Sequence, residues 1–508
     1  MKEKYMSRSV IDFLSKVSYS RAWLWKSCGC IILIGMMFAW GVDLLYGQIF
    51  DDSDVVSFDI NTETSLYHVL LRHEKEGFSA FMSEAVIDTI ALHDVSLMGL
   101  GARLYQTREA DISRELFRRG AQGVEGAFFI IGLFEVHEGN YSDGFTLFMR
   151  EYEISQDFVL RYTILNVALR GNLVTELDAL RKFPEFDALM RGGFDLRQGI
   201  QQRDWGMILR NFWIAEYSNM RLSVLFLAAL TGGIWGIIFL HIYPKGRMKS
   251  IRPYIGLSFL LGVISTWPTV WSGIFFDHFL GIREGNDFIS TLLYHTMSVG
   301  FREELCKILL FIPMIPILRK KGGELDALLL GTMIGLGFAT EENLNYFDEA
   351  MMGGVTFGRF VSANFLHCML SGICGLAVYR IFSSPARWLS EGLLTITMAI
   401  VLHGFYNTLI TIDVPGFGDL SYFSGTLLGI AAIIYFREVK ARTPITMRKL
   451  SITGMFLWGF CILFNLDLIT TTFMVPFRGA LVLVGETALA TVITGVLLFS
   501  QLQEPLTE

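Results

Sequence analysis

Charged residues are scarce in this chain. Asp, Glu, Lys and Arg make up 18% of its 508 residues, whereas hydrophobic residues make up 52%. Soluble domains usually carry about 25% charge, so the composition excludes an ordinary soluble enzyme. Proline is also rare, at 11 residues against 49 Gly and 42 Phe. This balance favours closely packed, lipid-facing helices over a disordered or fibrous chain.

Cysteine is equally sparse and is placed unlike the cysteines of a disulfide framework. All six lie in or beside apolar stretches: Cys28, Cys30, Cys306, Cys368, Cys374 and Cys461. A secreted, disulfide-stapled fold is therefore not expected, and we give these thiols no role beyond packing.

Long apolar runs dominate what is present. About 20 apolar residues are needed to cross a bilayer as a helix, and ten stretches qualify, near 27–46, 221–243, 254–276, 288–318, 325–346, 360–381, 389–410, 421–436, 451–472 and 479–500. The fourth is too long for one regular span, so a short re-entrant or interfacial piece is expected to lead into a proper span there. We predict an all-α polytopic membrane protein with about ten spans.

The distribution of Lys and Arg predicts the orientation. One set of segments, namely the N-terminus and the loops near 245–252, 319–321, 380–387 and 437–449, carries most of the basic residues, while the short loops between them hold only Arg283, Arg359 and Arg478. Basic loops face the cytoplasm, so both termini are predicted to be cytoplasmic. The first run is interpreted as an uncleaved anchor, since no small-residue cleavage site follows it.

A polar region of 48–220 separates the first two spans. It contains 16 Lys and Arg against 27 Asp and Glu, a net charge of −11, which argues against nucleic-acid binding. The topology makes it an extracytoplasmic helical domain. The predicted organisation is a cytoplasmic N-terminus with the first anchor (1–47), this domain (48–220), a membrane core (221–436) and a C-terminal pair of transmembrane helices (437–508).

Two Gly-Asn turns, at 139–140 and 171–172, lie 32 residues apart between helical patterns. The segment 104–117 is similar to a degenerate third copy. This spacing is near that of tetratricopeptide or Sel1-like helical hairpins. The region is therefore predicted to be a TPR-like module that binds another protein.

Ionisable residues inside spans are costly and usually functional, and here they are concentrated in four neighbouring spans. The first motif contains Glu303, Glu304 and Lys307, and the second Glu342 and Tyr346; the third contains Arg359, His367, Ser371 and Gly375, and the fourth His403 and Asn407.

Residues four apart share a helix face, so each span presents a polar stripe, and the four stripes are expected to converge in the outer half of the bilayer. Glu303 and Lys307 can form an ion pair, while Glu304, about 100° round the helix, is free to face elsewhere. His295, which has no polar partner four residues on, is interpreted as structural.

Carboxylates, two imidazoles and an amide suit hydrolysis of an acyl bond. In one version a glutamate takes the proton of an attacking water and a histidine with an Asn stabilises the oxyanion. In the other, Glu and two His hold a metal ion that activates the water. The residues alone leave both versions open.

The four motifs resemble those of the PrsW-type intramembrane proteases, distant relatives of the CAAX prenyl protease superfamily. The resemblance covers about 250–435 and includes Phe338-Ala339-x-x-Glu342-Asn343-x-x-Tyr346. It implies an endopeptidase that cuts a membrane-anchored protein within or beside the bilayer. The best-known role in the family is site-1 cleavage of an anti-sigma factor, and the implied location is a bacterial-type cytoplasmic membrane.

The resemblance implies a role for each motif residue. Glu303, Glu304, His367, His403 and Asn407 are the predicted catalytic residues, supported by Lys307, Glu342, Tyr346 and Ser371. If a metal such as zinc is required, the predicted ligands are Glu304, Glu342, His367 and His403. The predicted partners are a membrane-anchored substrate, the lipid bilayer and a protein bound by 48–220.

Other classes are less consistent with the chain. No HExxH sequence is present, no GxSG-like turn pairs with a histidine, and the GFGD at 416–419 lacks a Tyr-Asp partner on a preceding span. The alternative from a different class is a transporter or receptor whose polar cluster forms an ion or ligand site. Inverted repeats would favour that alternative, and none is evident. A scaffold with a degenerate membrane region would not retain four motif pairs.

Overall fold

A computed structural model describes residues 12–46, 97–218, 220–243, 248–285, 287–349, 354–414, 418–419, 421–443, 450–473 and 475–501. These residues are helical, with short connections and one pair of two-residue antiparallel strands, β1 (Asp413–Val414) and β2 (Gly418–Asp419). The predicted all-α fold class is confirmed. The part of the predicted outer domain at 48–96 lies outside the described residues.

The chain divides into two compact units. The membrane unit comprises Met1–Ile49 and Met220–Glu508, and the polar unit comprises Phe50–Asn219. The membrane unit starts with α1 (Arg21–Tyr46). The polar unit contains α2 (Leu97–Thr107), α3 (Ala110–Ala121), α4 (Ala127–His137), α5 (Tyr141–Ser155), α6 (Phe158–Arg170), α7 (Val174–Leu180), α8 (Pro184–Leu189), α9 (Asp195–Gln202) and α10 (Trp205–Tyr217).

Both Gly-Asn turns of the polar unit connect helices. The first lies between α4 and α5 and the second between α6 and α7. Gly139 and Asn172 adopt positive φ angles of 88° and 53°, a backbone conformation that Gly and Asn tolerate best. The turns are therefore where the sequence predicts them, while the repeat type stays a prediction.

Glu151 joins α5 to the start of α4. Its fully buried carboxylate accepts hydrogen bonds from the backbone N–H groups of Gly126, Phe128 and Phe129 at 2.6, 3.1 and 3.2 Å. These are N–H groups that the first turn of a helix cannot satisfy itself. Burial raises the pKa of the Glu151 carboxyl, and the three N–H groups oppose that rise.

The remaining helices of the membrane unit follow in chain order. They are α11 (Leu222–Ile242), α12 (Met248–Ile274), α13 (Phe288–Tyr294), α14 (Phe301–Phe311), α15 (Ile315–Lys321), α16 (Glu324–Glu349), α17 (Val355–Val361), α18 (Ala363–Ser383), α19 (Pro385–Thr411), α20 (Ser421–Lys440), α21 (Ile452–Thr472) and α22 (Phe477–Gln501). Six segments among the described residues are long and apolar enough to cross a membrane. The prediction of ten spans is not confirmed by this count.

The long fourth apolar run is interrupted. Between α13 and α14 lies a π-helical segment, His295–Gly300, and between α14 and α15 lies a 3₁₀ turn, Ile312–Met314. Pro313 and Pro316 explain the second interruption, because proline removes a backbone donor and crowds the preceding turn. As a result α14 is a short helix of 11 residues with an irregular segment at each end.

Glycines bring α16 into backbone contact with two neighbours. A Cβ on Gly335 would overlap the carbonyl oxygen of His367 in α18, and one on Gly331 would overlap that of Ser371. On the opposite side, a Cβ on Gly337 would overlap the carbonyl oxygen of Phe259 in α12. Small residues permit such close approach between membrane helices. The spacing of α12, α16 and α18 therefore depends on these glycines.

We predict that Gly335→Ala destabilises the membrane unit, because the added methyl group meets backbone that cannot rotate away. Overpacking of this kind costs about 1–3 kcal/mol. The thermal unfolding midpoint of the full-length protein in detergent is expected to fall. Gly256→Ala, where nothing lies within 4 Å of the added Cβ, is the control and should not lower the midpoint, because Ala favours a helix more than Gly does. Equal midpoints for the two variants would contradict the prediction.

Glu151→Ala is predicted to loosen the polar unit, since three buried N–H groups lose their acceptor. Each unsatisfied group costs about 1–3 kcal/mol. Hydrogen exchange of the α4 amides in the full-length protein should accelerate in this variant. The exposed Glu153 of the same helix provides the control, and Glu153→Ala should exchange at the wild-type rate.

Candidate active site

Four helices of the membrane unit bring the predicted site residues together. The residues come from α14, α16, α18 and α19 and are Glu303, Glu304, Lys307, Glu342, His367 and His403. All but Glu342 are buried. The stripes inferred from i, i+4 spacing therefore do converge.

Lys307 contacts both glutamates of its helix. Its Nζ lies 2.9 Å from Oε1 of Glu304 and 3.5 Å from Oε2 of Glu303. The expected Glu303–Lys307 ion pair is present. Glu304 also faces Lys307 rather than another direction, because residues three apart on a helix are neighbours as well as residues four apart. The Lys307 ammonium also lies 3.9 Å from the ring centre of Phe338.

His403 is oriented by Glu304. The Nδ1 atom of His403 lies 2.9 Å from Oε1 of Glu304. A carboxylate only accepts hydrogen bonds, so Nδ1 carries the proton. The lone pair of the imidazole is then on Nε2, which lies 3.5 Å from Oε2 of Glu303.

His367 is oriented in the opposite sense by Glu342. Its Nε2 donates to Oε2 of Glu342 over 3.0 Å, which places the lone pair on Nδ1. That Nδ1 accepts a hydrogen bond from Lys307 at 2.8 Å and lies 4.0 Å from Oε2 of Glu303. The centres of the two imidazole rings are 5.1 Å apart.

Glu303 Oε2 therefore faces the lone-pair nitrogens of both histidines. This buried oxygen has no hydrogen-bond partner among the described residues. One ligand atom from each of Glu303, His367 and His403 lies within 4.8 Å of the others, so the three residues could hold a metal ion. Carboxylate and imidazole are typical ligands of catalytic zinc, and carboxylates that fix the opposite ring nitrogen are typical of such sites.

The charges of the cluster also fit a cation. Three carboxylates, those of Glu303, Glu304 and Glu342, face the two cationic groups of Lys307 and Arg359. The excess negative charge in an apolar interior favours a bound positive ion. The possible metal ligands differ from the predicted ones, because Glu303 takes the place of Glu304 and Glu342 beside the two histidines. Glu304 instead accepts a hydrogen bond from Nδ1 of His403, and Glu342 accepts one from Nε2 of His367.

Arg359 of α17 is a site residue to which the sequence reasoning assigned no role. Its Nη2 donates to Oε2 of Glu342 at 2.9 Å, and its Nε donates to Oδ1 of Asn343 at 2.6 Å. The guanidinium lies 3.8 Å from the ring centre of Tyr346. Arg359 thus holds the carboxylate that orients His367. Its signal in the sequence was the spacing of eight residues to His367.

The other predicted site residues lie at the edge of the cluster. Asn407 is half-buried, one turn beyond His403, and its side chain forms no hydrogen bond with the described residues. Ser371 is buried one turn beyond His367, and its Oγ has no hydrogen-bond partner in the same part of the chain. Tyr346 is 44% exposed and contacts the centre through Arg359.

The fold and site define a helical, multi-pass membrane protein with a buried glutamate–histidine centre. Residues 252–436 match a protein-family model described as the PrsW family intramembrane metalloprotease. The resemblance inferred from the motifs is confirmed, and the match supports an intramembrane protease. It covers a little over a third of the chain, including every residue of the cluster and excluding the polar unit. No curated protein and no solved structure matches the chain.

Metal binding should distinguish ligands from orienting residues. Glu303→Gln is expected to remove the ion, because it replaces a ligand that faces both lone pairs. Glu304→Gln and Glu342→Gln should weaken binding by about 10–100-fold, the usual effect of losing a residue that orients a ligand. Zinc content after equilibration in buffered zinc would measure the difference. Glu391→Gln, on an exposed position of α19, is the control, and wild-type affinity in Glu303→Gln would refute the ligand assignment.

Proposed function

We propose that this protein is an intramembrane endopeptidase that hydrolyses a peptide bond in or beside the membrane segment of a membrane-anchored protein. The observation that carries the proposal is the convergence of Glu303 Oε2 with two imidazole lone pairs inside a bundle of apolar helices. The family match supports the same activity.

We assign the metal ligands to Glu303, His367 and His403. A divalent ion such as zinc, when bound, would polarise the attacking water and the scissile carbonyl. For the ion to bind, Nδ1 of His367 must give up its hydrogen bond from Lys307. Glu303 has two carboxylate oxygens, so one can bind the ion while the other accepts the proton of the water.

Glu304 and Lys307 act as positioning residues. Glu304 Oε1 accepts from both the Lys307 ammonium and Nδ1 of His403, each at 2.9 Å. It fixes the tautomer of His403 and anchors the lysine. Lys307 in turn supplies positive charge 3.5 Å from Glu303, which offsets the cost of keeping two neighbouring carboxylates in an apolar interior.

Glu342, Arg359 and Tyr346 position His367. Arg359 holds Glu342, Glu342 accepts from Nε2 of His367, and Tyr346 covers the guanidinium.

Asn407 is assigned a different role. Its amide is not engaged by the described residues, so it can donate to the oxyanion that develops on the substrate carbonyl.

The substrate must present an extended segment to this centre. Peptide groups in a membrane helix are shielded by their own hydrogen bonds, so a cleavable helix has to unwind locally. Under the predicted topology the cut lies on the extracytoplasmic side, and the acidic 48–220 domain recruits or gates the substrate. We propose regulated proteolysis of a membrane-anchored regulator, of the kind that releases a transcriptional response by cutting an anti-sigma factor.

A comparison of new protein termini in membranes would test the activity. Membranes containing the wild-type protein should yield juxtamembrane termini on the outer side that are absent with Glu303→Gln. Loss of a group that transfers protons or binds the catalytic ion lowers turnover by at least about 10²–10⁴-fold. Glu391→Gln at matched expression is the control and should yield the wild-type termini.

Identical termini with wild type and Glu303→Gln under several envelope stresses would overturn the protease proposal. A chelator that removes zinc should abolish cleavage, and added zinc should restore it. Cleavage that resists the chelator but still requires Glu303 would refute the metal assignment while leaving the protease intact.

A further inference from the structure

A second polar cluster lies beside the active site, between the π-helical turn Phe275–Phe279 and the start of α14. We call it the entry cluster, and it consists of Asp277, Glu284, Tyr294, His295, Ser298 and Arg302. Tyr294 donates to Oδ2 of Asp277 at 3.3 Å, and Nε2 of His295 lies 3.1 Å from Oε1 of Glu284. None of these residues has a role in the proposed chemistry.

Four buried polar atoms of the entry cluster have no hydrogen-bond partner among the described residues. They are Asp277 Oδ1, His295 Nδ1, Ser298 Oγ and Arg302 Nη1. Of the four residues, Arg302 is the most costly to bury without a hydrogen-bond partner, because its guanidinium is always charged. It donates through Nε to the carbonyl oxygen of Ser298 at 2.7 Å and forms no ion pair with a described carboxylate.

Unsatisfied polar atoms of this kind are costly in a membrane interior. Charged side chains within membrane segments therefore face a partner or a water-filled cavity. Buried polar groups that lack protein partners are commonly satisfied by ordered water, which typically makes about three hydrogen bonds. Ordered water bound to these four atoms would satisfy them.

The entry cluster adjoins the catalytic residues. Arg302 directly precedes Glu303 in α14, and the π-helical segment His295–Gly300 packs against α19. A Cβ on Gly404 would overlap Thr296, so the residue after His403 touches the residue after His295. His295 also interacts electrostatically with His403 and Glu303. Water at His295 is therefore next to the reacting centre.

The other end of the cluster opens toward the loop after α12. The side chain of Glu284 is 39% exposed, whereas that of His295 is only 10% exposed. Leu280 and Ile282 in the same loop are exposed as well. Accessibility thus falls sharply between Glu284 and His295, and Glu303 is as deeply buried as His295.

We infer that the entry cluster is a hydrated path that supplies water to the buried active site from the side of the membrane on which the 280–285 loop lies. The role of the path in supplying water rests on the proposed hydrolysis, which consumes one water for each bond cut. The hydration of the path does not depend on that proposal. His295 is then a residue that orders water in the path, and it begins a π-helical segment, a feature that is frequent at functional sites.

Thiol labelling would test the path without relying on activity. Ser298→Cys is a nearly isosteric probe in the cluster, and Met297→Cys, at a position 65% exposed on the outside of the bundle, is its lipid-facing neighbour. A charged, membrane-impermeant methanethiosulfonate reagent reacts with ionised thiols only. Added outside intact cells, it should modify position 298 at least about 10-fold faster than position 297. Peptide mass spectrometry would quantify each site.

Internal controls are available in the same protein. Ile282→Cys in the loop should label rapidly, and the buried native thiols Cys368 and Cys374 should not label. Asp277→Cys gives a second probe in the cluster if Ser298→Cys does not fold. Equal, slow rates at 297, 298 and 277 alongside rapid labelling at 282 would overturn the path, as would labelling of 298 only from the side of the membrane opposite to that from which 282 labels.

The outcome is separable from that of the protease proposal. Labelling at 298 with no Glu303-dependent cleavage would leave a hydrated cavity in a protein of another activity. Cleavage without labelling would place the water route elsewhere in the bundle.

Discussion

The centre depends on two hydrogen bonds in which an imidazole N–H donates to a carboxylate. Glu304 accepts the hydrogen bond from Nδ1 of His403, and Glu342 accepts the one from Nε2 of His367. Because the bonds use opposite ring nitrogens, the two remaining lone pairs face the same carboxylate oxygen, Oε2 of Glu303. Exchange of either tautomer would direct a proton toward Glu303 and remove a ligand atom. In the low-dielectric interior both hydrogen bonds are electrostatically stronger than they would be in water.

Much of this centre could be predicted from the sequence, because charged residues inside membrane spans are rare. Their spacing also shows which of them lie on the same face of one helix. The motifs on α14, α16, α18 and α19 identified the participating residues. The division of labour between Glu303 and Glu304 could not be predicted, since both lie within reach of Lys307 on one helix. It is decided by where His403 of α19 lies. The role of Arg359 was missed for a related reason, because the residues that it contacts, Glu342 and Asn343, lie on another helix, α16.

The same distinction applies to the fold. Hydrophobic runs predicted the helical class and located an irregularity in the fourth run, where two prolines and a π-helical segment occur. His295 was interpreted as structural because no polar residue follows it four positions later. Its partner is Glu284, which precedes it by 11 residues across a loop. Interactions that depend on loop conformation leave no helical periodicity, so sequence spacing does not reveal them.

The glycine contacts of α16 divide the helices that build the centre into two groups. Backbone contact at Gly331 and Gly335 packs α16 closely against α18, and these two helices carry Glu342 and His367. Glu303, Glu304 and Lys307 instead belong to α14, a short helix flanked by irregular turns. The side chains of the centre therefore meet between a closely packed helix pair and a short helix that lies between two irregular turns. An opening between these two groups of helices would separate Glu303 from His367 and leave the Glu342–His367 bond, which lies within the α16–α18 pair, intact.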